Sequence, residues 1–145
     1  MKQETMKQET IKQESIKEEA AKNGYIEMSL KVLIVDDNNI NVFLLKHMLE
    51  AKGFSPSVAV NGQEAVDQVS IEDFDIVLMD LQMPVMDGYE AIKSIRENGK
   101  ISQPRIVAVT AFVGDESRER AISNGADAFV SKPIVQEELY HAMHG

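Results

Sequence analysis

Cysteine and tryptophan are both missing from this chain of 145 residues. Without thiols there is no disulfide framework and no thiolate metal site. Long apolar runs are missing too: none approaches the roughly 18 residues that a membrane helix needs. The N-terminus is rich in lysine and glutamate where a secretory signal would be apolar. These absences make the cytoplasm the expected compartment, with no membrane association. Positive charge is also short. A net charge of −9 argues against direct nucleic-acid binding, which relies on clustered Lys and Arg. No GxxxxGK[ST] nucleotide loop occurs, and the chain is too short for a kinase catalytic domain. What remains is ordinary: 43% hydrophobic residues, enough for one core of one domain.

Two regions differ in texture. Residues 1–20 form a pentapeptide array, MKQET-MKQET-IKQES-IKEEA. Its residues suit a helix, with Glu4–Lys7 and Glu9–Lys12 as i,i+3 pairs. Met1, Met6, Ile11 and Ile16 recur every five positions. Each such step turns a helix by roughly 140°, so these residues wind around it and make no stripe. Residues 1–28 are therefore expected to be a charged extension, either a solvated helix or disordered, and residues 29–145 the folded domain.

From Leu30 onward, short apolar runs alternate with periodic segments. The runs at 31–35, 54–60, 75–79, 105–109 and 128–130 predict strands. Residues 40–51, 62–70, 89–97, 115–123 and 134–143 predict helices, several closed by glycine or Asn-Gly. Pro56 points to an edge position for the second strand. The first, third and fourth strands are apolar on consecutive residues, as when helices cover both sheet faces. Right-handed crossovers then give an α/β fold, a doubly wound five-stranded parallel sheet of flavodoxin-like (βα)5 type. Ligands of such sheets bind at the strands' C-terminal ends.

Those ends carry chemistry. The first strand ends in Asp36-Asp37, the third in Asp80, the fourth in Thr110, and the fifth runs into Lys132-Pro133. A strand order of 2-1-3-4-5 brings them to one edge. Three carboxylates so close repel one another, raising at least one pKa unless a cation sits among them. Oxygen ligands without His or Cys select a hard cation, Mg2+ foremost. A lysine and a hydroxyl beside a metal-bound carboxylate can hold the outer oxygens of a transferring phosphoryl group, with Asp80 as nucleophile. Each residue has a plainer reading alone. Asp36 or Asp37 could cap the helix beginning near Asn39, and Lys132 could be a surface lysine. Jointly, four such strand ends are hard to credit to capping.

The segments VLIVDDNNIN, DIVLMDLQMPVMDGYE, IVAVTA and GADAFVSKPI, in this order, resemble the receiver domain of two-component response regulators over residues 31–144. Their flavour is closest to receivers of hybrid histidine kinases and phosphorelays. The resemblance implies that Asp80 is the phosphoacceptor, taking its phosphoryl group from a phosphohistidine on a histidine kinase or histidine phosphotransfer protein. It implies Mg2+ held by Asp36, Asp37, Asp80 and the backbone carbonyl of Gln82. Thr110 and Lys132 would contact phosphoryl oxygens, and Lys132-Pro133 would be a cis peptide. Thr110 and Phe129 would form the switch pair, phenylalanine standing where tyrosine is commoner. The implied protein is a monomer or a weak phosphorylation-dependent dimer. It is no turnover enzyme, although it would catalyse its own phosphorylation and dephosphorylation. The chain given is expected to lack an output domain, as a stand-alone receiver or a part of a longer protein would. A phosphatase of the haloacid dehalogenase type would need a second aspartate two residues after the nucleophile, where Gln82 stands. His47, His141 and His144 lack any phosphotransfer context and are expected to be surface or boundary residues.

Overall fold

The computed structural model describes residues 30–111 and 114–145, so the pentapeptide array lies outside the described residues. Strands and helices alternate along them: β1 (Val32–Val35), α1 (Asn39–Glu50), β2 (Ser57–Ala59), α2 (Gly62–Ile71), β3 (Ile76–Asp80), α3 (Gly88–Glu97), β4 (Arg105–Thr110), α4 (Asp115–Asn124), β5 (Ala128–Ser131) and α5 (Gln136–His144). The strands form one five-stranded sheet in the order β2-β1-β3-β4-β5, with every pairing parallel. This is the flavodoxin-like topology expected from the alternation of runs.

Two cores explain the consecutive apolar residues. Leu33, Val35, Val77, Met79, Ile106 and Ala108 face α2, α3 and α4 through Ala65, Val69, Ile92, Ile95 and Ala121. Their strand neighbours Val32, Ile34, Ile76, Leu78, Val107 and Val109 face α1 and α5 through Leu45, Leu49, Leu139 and Met143. Side chains alternate across a strand, so a sheet covered on both faces needs apolar residues at every position. Full burial of each leucine or isoleucine stabilises the fold by roughly 1.5–3 kcal/mol.

Helix starts are set by caps. Asn38 accepts from the Ile40 and Asn41 N–H groups, Asn61 from that of Glu64, and Asp87 from that of Glu90. Asn38, and neither Asp36 nor Asp37, is thus the cap of α1. The last turn of α4 closes on Gly125, whose φ of 118° is the left-handed conformation that favours glycine.

Boundaries differ from expectation most clearly at β2, β3, β4 and α5. β2 shrinks to Ser57–Ala59 at the sheet edge, because Pro56 has no N–H for the ladder and Phe54 turns into the core beneath α1. β3 and β4 each run one residue further, to Asp80 and Thr110. Asp80 pairs with Val109, and Thr110 with Ser131. The polar residues at these ends are therefore fixed by the sheet ladder itself. α5 begins at Gln136, after an extended Val135, and not at residue 134.

Candidate functional site

The crevice lies where the chain leaves β1 toward one sheet face and β3 toward the other, the switch point of a doubly wound sheet. Asp36 follows β1, and its N–H donates to the Ala59 carbonyl at 3.1 Å. Its side chain accepts from the Asn38 N–H at 2.9 Å and from Lys132 Nζ at 3.1 Å. Because Asn38 performs the capping, Asp36 is free to face the lysine. Asp37 is exposed at the mouth. Asp80 ends β3, and its Oδ1 accepts from the Gln82 N–H at 3.2 Å. Its Oδ2 lies 3.6 Å from Lys132 Nζ. Thr110 ends β4, with its carbonyl accepting from the Lys132 N–H at 2.7 Å. The Lys132-Pro133 peptide is cis, as the resemblance implied.

Burial separates this cluster from ordinary surface charge. Asp36, Asp80 and Thr110, at 2%, 6% and 1% exposure, are the buried polar or charged residues among those described. All three sit at this one edge. Carboxylates are almost never buried unless paired or ligating, so a capping role does not account for them.

Electrostatics follow from that burial. Desolvation pushes the Asp80 carboxyl up from 3.8 to about 6, with the charges of Asp36 and Asp37 adding to the rise. The Gln82 N–H and the Lys132 ammonium oppose it. One carboxyl of the cluster is thus raised, as the crowding of acids implied, with burial as the larger cause. At neutral pH Asp80 is ionised and more basic than an ordinary aspartate.

Carboxylate oxygens from Asp36, Asp37 and Asp80 lie within 4.8 Å of one another. This all-oxygen, strongly anionic donor set fits a hard divalent cation. A cation there would offset the repulsion that the single lysine leaves uncompensated. The residues expected at the metal and phosphoryl positions are thus brought together: Asp36, Asp37, Asp80, Thr110 and Lys132, with Gln82 beside them on the β3–α3 loop. Phe129 stands apart on β5. It is half-buried, packs against the α2–α3–α4 core, and lines a groove of about 730 Å³ between α4, β5 and α5. His47, His141 and His144 are exposed, as expected.

Two features of the site escaped the sequence reading. Gly88 reads as a turn residue, yet it opens α3 against the backbone of the nucleophile's own strand. A Cβ there would lie 2.2 Å from the Asp80 carbonyl oxygen and 2.7 Å from Leu81 Cα. The Asp-Gly pair in VMDG is the signal the sequence offers for it. The other is the backbone of Val85, for which the sequence carries no signal.

Comparison with known proteins agrees with this geometry. The profile of the response regulator receiver domain matches residues 32–144. Hybrid signal transduction histidine kinase L of Dictyostelium discoideum is 40% identical over a 115-residue alignment, covering 75% of this chain and 7% of that kinase. The chain thus spans a small part of that relative's length. Among solved structures, the receiver domain of sensor histidine kinase PA1611 from Pseudomonas aeruginosa, with magnesium coordinated in its active-site cleft, superposes with a TM-score of 0.73 at 30% identity. The match covers 79% of this chain and 94% of that one. A chain in the co-crystal structure of Saccharomyces cerevisiae histidine phosphotransfer signaling protein Ypd1 and the receiver domain of Ssk1 gives 0.72 at 32% identity, covering 79% and 86%.

Proposed function

We propose, for a chain that belongs to the response regulator receiver domain family of two-component and phosphorelay signalling, that Asp80 accepts a phosphoryl group from a phosphohistidine on a partner protein. The donor is a histidine kinase or a histidine phosphotransfer protein. The observation that carries this reading is the buried triad of Asp36, Asp80 and Thr110, gathered around Lys132 at one sheet edge.

An Asp80 Oδ attacks phosphorus as the bond from phosphorus to the donor's imidazole nitrogen breaks. The imidazole keeps the electron pair and takes a proton from solvent. Burial serves this step by leaving Asp80 ionised at neutral pH yet poorly solvated, a better nucleophile than an exposed aspartate. Lys132, already 3.6 Å from Asp80 and 3.1 Å from Asp36, moves its charge onto a phosphoryl oxygen, and the Thr110 hydroxyl donates to another. Asp36, Asp37, Asp80 and the Gln82 carbonyl would hold Mg2+, which neutralises charge between the carboxylates and the incoming phosphoryl oxygens when bound. In autodephosphorylation, water attacks the same phosphorus, phosphate leaves, and the carboxylate is restored. Neither step makes the protein a turnover enzyme for a separate substrate.

The acyl phosphate carries roughly −1.5 to −2 charge at the strand end, in place of the single charge of the free carboxylate. Thr110 turns toward it, and Phe129 moves into the space behind, so the surface of α4, β5 and α5 reports the modification. We assign this activity to residues 29–145, with residues 1–28 as an extension dispensable for it, in a cytoplasmic protein that is monomeric or dimerises weakly when phosphorylated.

Intact-mass measurement after incubation with acetyl phosphate and Mg2+ tests the reading. One added phosphoryl group is expected, absent when the metal is chelated before the phosphodonor is added and absent in Asp80→Asn. Phosphorylation of Asp80→Asn at the wild-type rate would refute it.

A further inference from the structure

Three Asn-Gly pairs lie among the described residues: Asn61-Gly62, Asn98-Gly99 and Asn124-Gly125. In such a pair the glycine nitrogen, with no Cβ beside it, can attack the asparagine side-chain amide. The fold closes two of the three. Gly62 is buried, and its N–H donates to the Met86 carbonyl at 3.1 Å. The Gly125 N–H donates to the Ile122 carbonyl at 3.0 Å, while Asn124 Nδ2 donates to the Arg120 carbonyl at 2.8 Å in the last turn of α4. Gly99 differs. It is exposed, its N–H has no hydrogen-bond partner among the described residues, and a Cβ there would meet nothing within 4 Å.

Asn98 caps the C-terminus of α3 with an extended backbone, φ −81° and ψ 98°. Its Oδ1 accepts from the Lys100 N–H at 3.0 Å, an Asx turn that brackets Gly99. That N–H sits on the oxygen that turns anionic when Cγ is attacked. Asn61 has a comparable donor in the Glu64 N–H, at 2.8 Å, but its glycine is locked. At position 99 the amide gives its proton to solvent base, and its nitrogen bonds to Asn98 Cγ. The Cγ–Nδ2 bond breaks, and ammonia leaves with a proton from water. Water then opens the resulting succinimide at either carbonyl. One opening gives aspartate; the other gives isoaspartate, whose main chain runs through Cβ and Cγ. In that product the former main-chain carbonyl becomes a carboxylate branch.

The geometry points to Asn98-Gly99 as a site of spontaneous deamidation, where isoaspartate forms and loosens the end of α4. The carbonyl lost is the one that accepts from Gln103 Nε2 at 3.0 Å. Gln103 Oε1 in turn accepts from Arg96 Nη1 at 2.9 Å. Arg96 holds the Gly125 carbonyl through Nε at 2.8 Å and Asp127 through Nη2 at 2.7 Å, where α4 passes toward β5. The new carboxylate also lies at the C-terminal, negative end of the α3 dipole, which disfavours it. Gly88 and Asp80 stand at the other end of α3, so the modification is separate from the phosphoacceptor chemistry and does not rest on the function proposed above.

Incubation of the full chain at pH 8, followed by peptide mass spectrometry, reads conversion at each pair. Position 98 should convert about tenfold faster than 61 or 124, or more, since tenfold corresponds to only about 1.4 kcal/mol of local opening. In concentrated urea the three should convert at similar rates. Gly99→Ala, which has room for its methyl group, should fold as the wild type and lose most of the conversion at 98. Fully converted protein should exchange the amide hydrogens of residues 125–127 faster than fresh protein does. Equal conversion at all three pairs in the folded protein would overturn the inference. So would an undiminished lead of position 98 in urea, which would trace the difference to sequence neighbours and not to the fold. Wild-type conversion in Gly99→Ala, or unaltered exchange at 125–127 after conversion, would overturn it as well.

Discussion

Replacing Asp80 with asparagine should stabilise the metal-free protein at neutral pH, by an amount that disappears in acid. The carboxyl's pKa is raised from 3.8 to about 6, chiefly by burial. The shift of about 2 units corresponds to at most roughly 3 kcal/mol. The crevice opens to solvent, so screening reduces that to about 1–2 kcal/mol. Below pH 3.8 the side chain is protonated in both folded and unfolded chains, and its contribution is nil. Between pH 3.8 and about 6 the unfolded chain gives up the proton first, so wild-type stability falls as pH rises. Above about 6 the full cost of the buried charge is present. Asparagine keeps the shape without the charge and avoids this cost. Urea denaturation of both proteins from pH 4 to 8, with metal chelated, reads the difference directly, since all other titrating groups are common to the two. Asp80→Asn should gain about 1–2 kcal/mol at pH 8 and almost nothing at pH 4. Added Mg2+ should narrow the gap by stabilising the wild type preferentially. A difference that is flat across the range, or an asparagine variant less stable at pH 8 than the wild type, would refute the reasoning.

Asp37 is exposed at the mouth of the site, so Asp37→Ala should change metal-free stability by less than about 0.5 kcal/mol while weakening Mg2+ binding in an NMR titration; an unchanged affinity would remove Asp37 from the metal set. Gly88→Ala drives a methyl group onto the Asp80 carbonyl and should cost about 1–3 kcal/mol by thermal or chemical denaturation, with a slower reaction toward acetyl phosphate because the nucleophile's strand end shifts. With beryllofluoride as a phosphoryl mimic, wild-type amide shifts should spread from the strand ends to α4, β5 and α5; in Thr110→Ala they should stay local. Equal spread in both would show that the threonine does not carry the signal.

The residue pattern made the sheet legible because both of its faces are covered, so the strands are runs of apolar residues with no alternation to interpret. The chemistry was legible because topology alone brings the ends of β1, β3, β4 and β5 together, and each carried a polar residue. What lay beyond reach was set by contacts between distant segments. Asp80 and Thr110 belong to the strands because Val109 and Ser131 extend the ladders, a register no local pattern reveals. Asn38 takes the cap of α1, which leaves Asp36 for Lys132; three adjacent polar residues gave no local means of choosing among them. The positive φ of Val85 runs against the preference of valine and arises where the loop is pinned on Gly62 and Leu81.

The most direct test of the central claim is to locate the phosphoryl group. After reaction with acetyl phosphate and Mg2+, borohydride reduces an aspartyl phosphate to homoserine, and peptide mass spectrometry finds the position. Homoserine is expected at position 80, with unmodified aspartate at positions 36 and 37. Reduction at 36 or 37, or a phosphorylated protein with Asp80 intact, would contradict it.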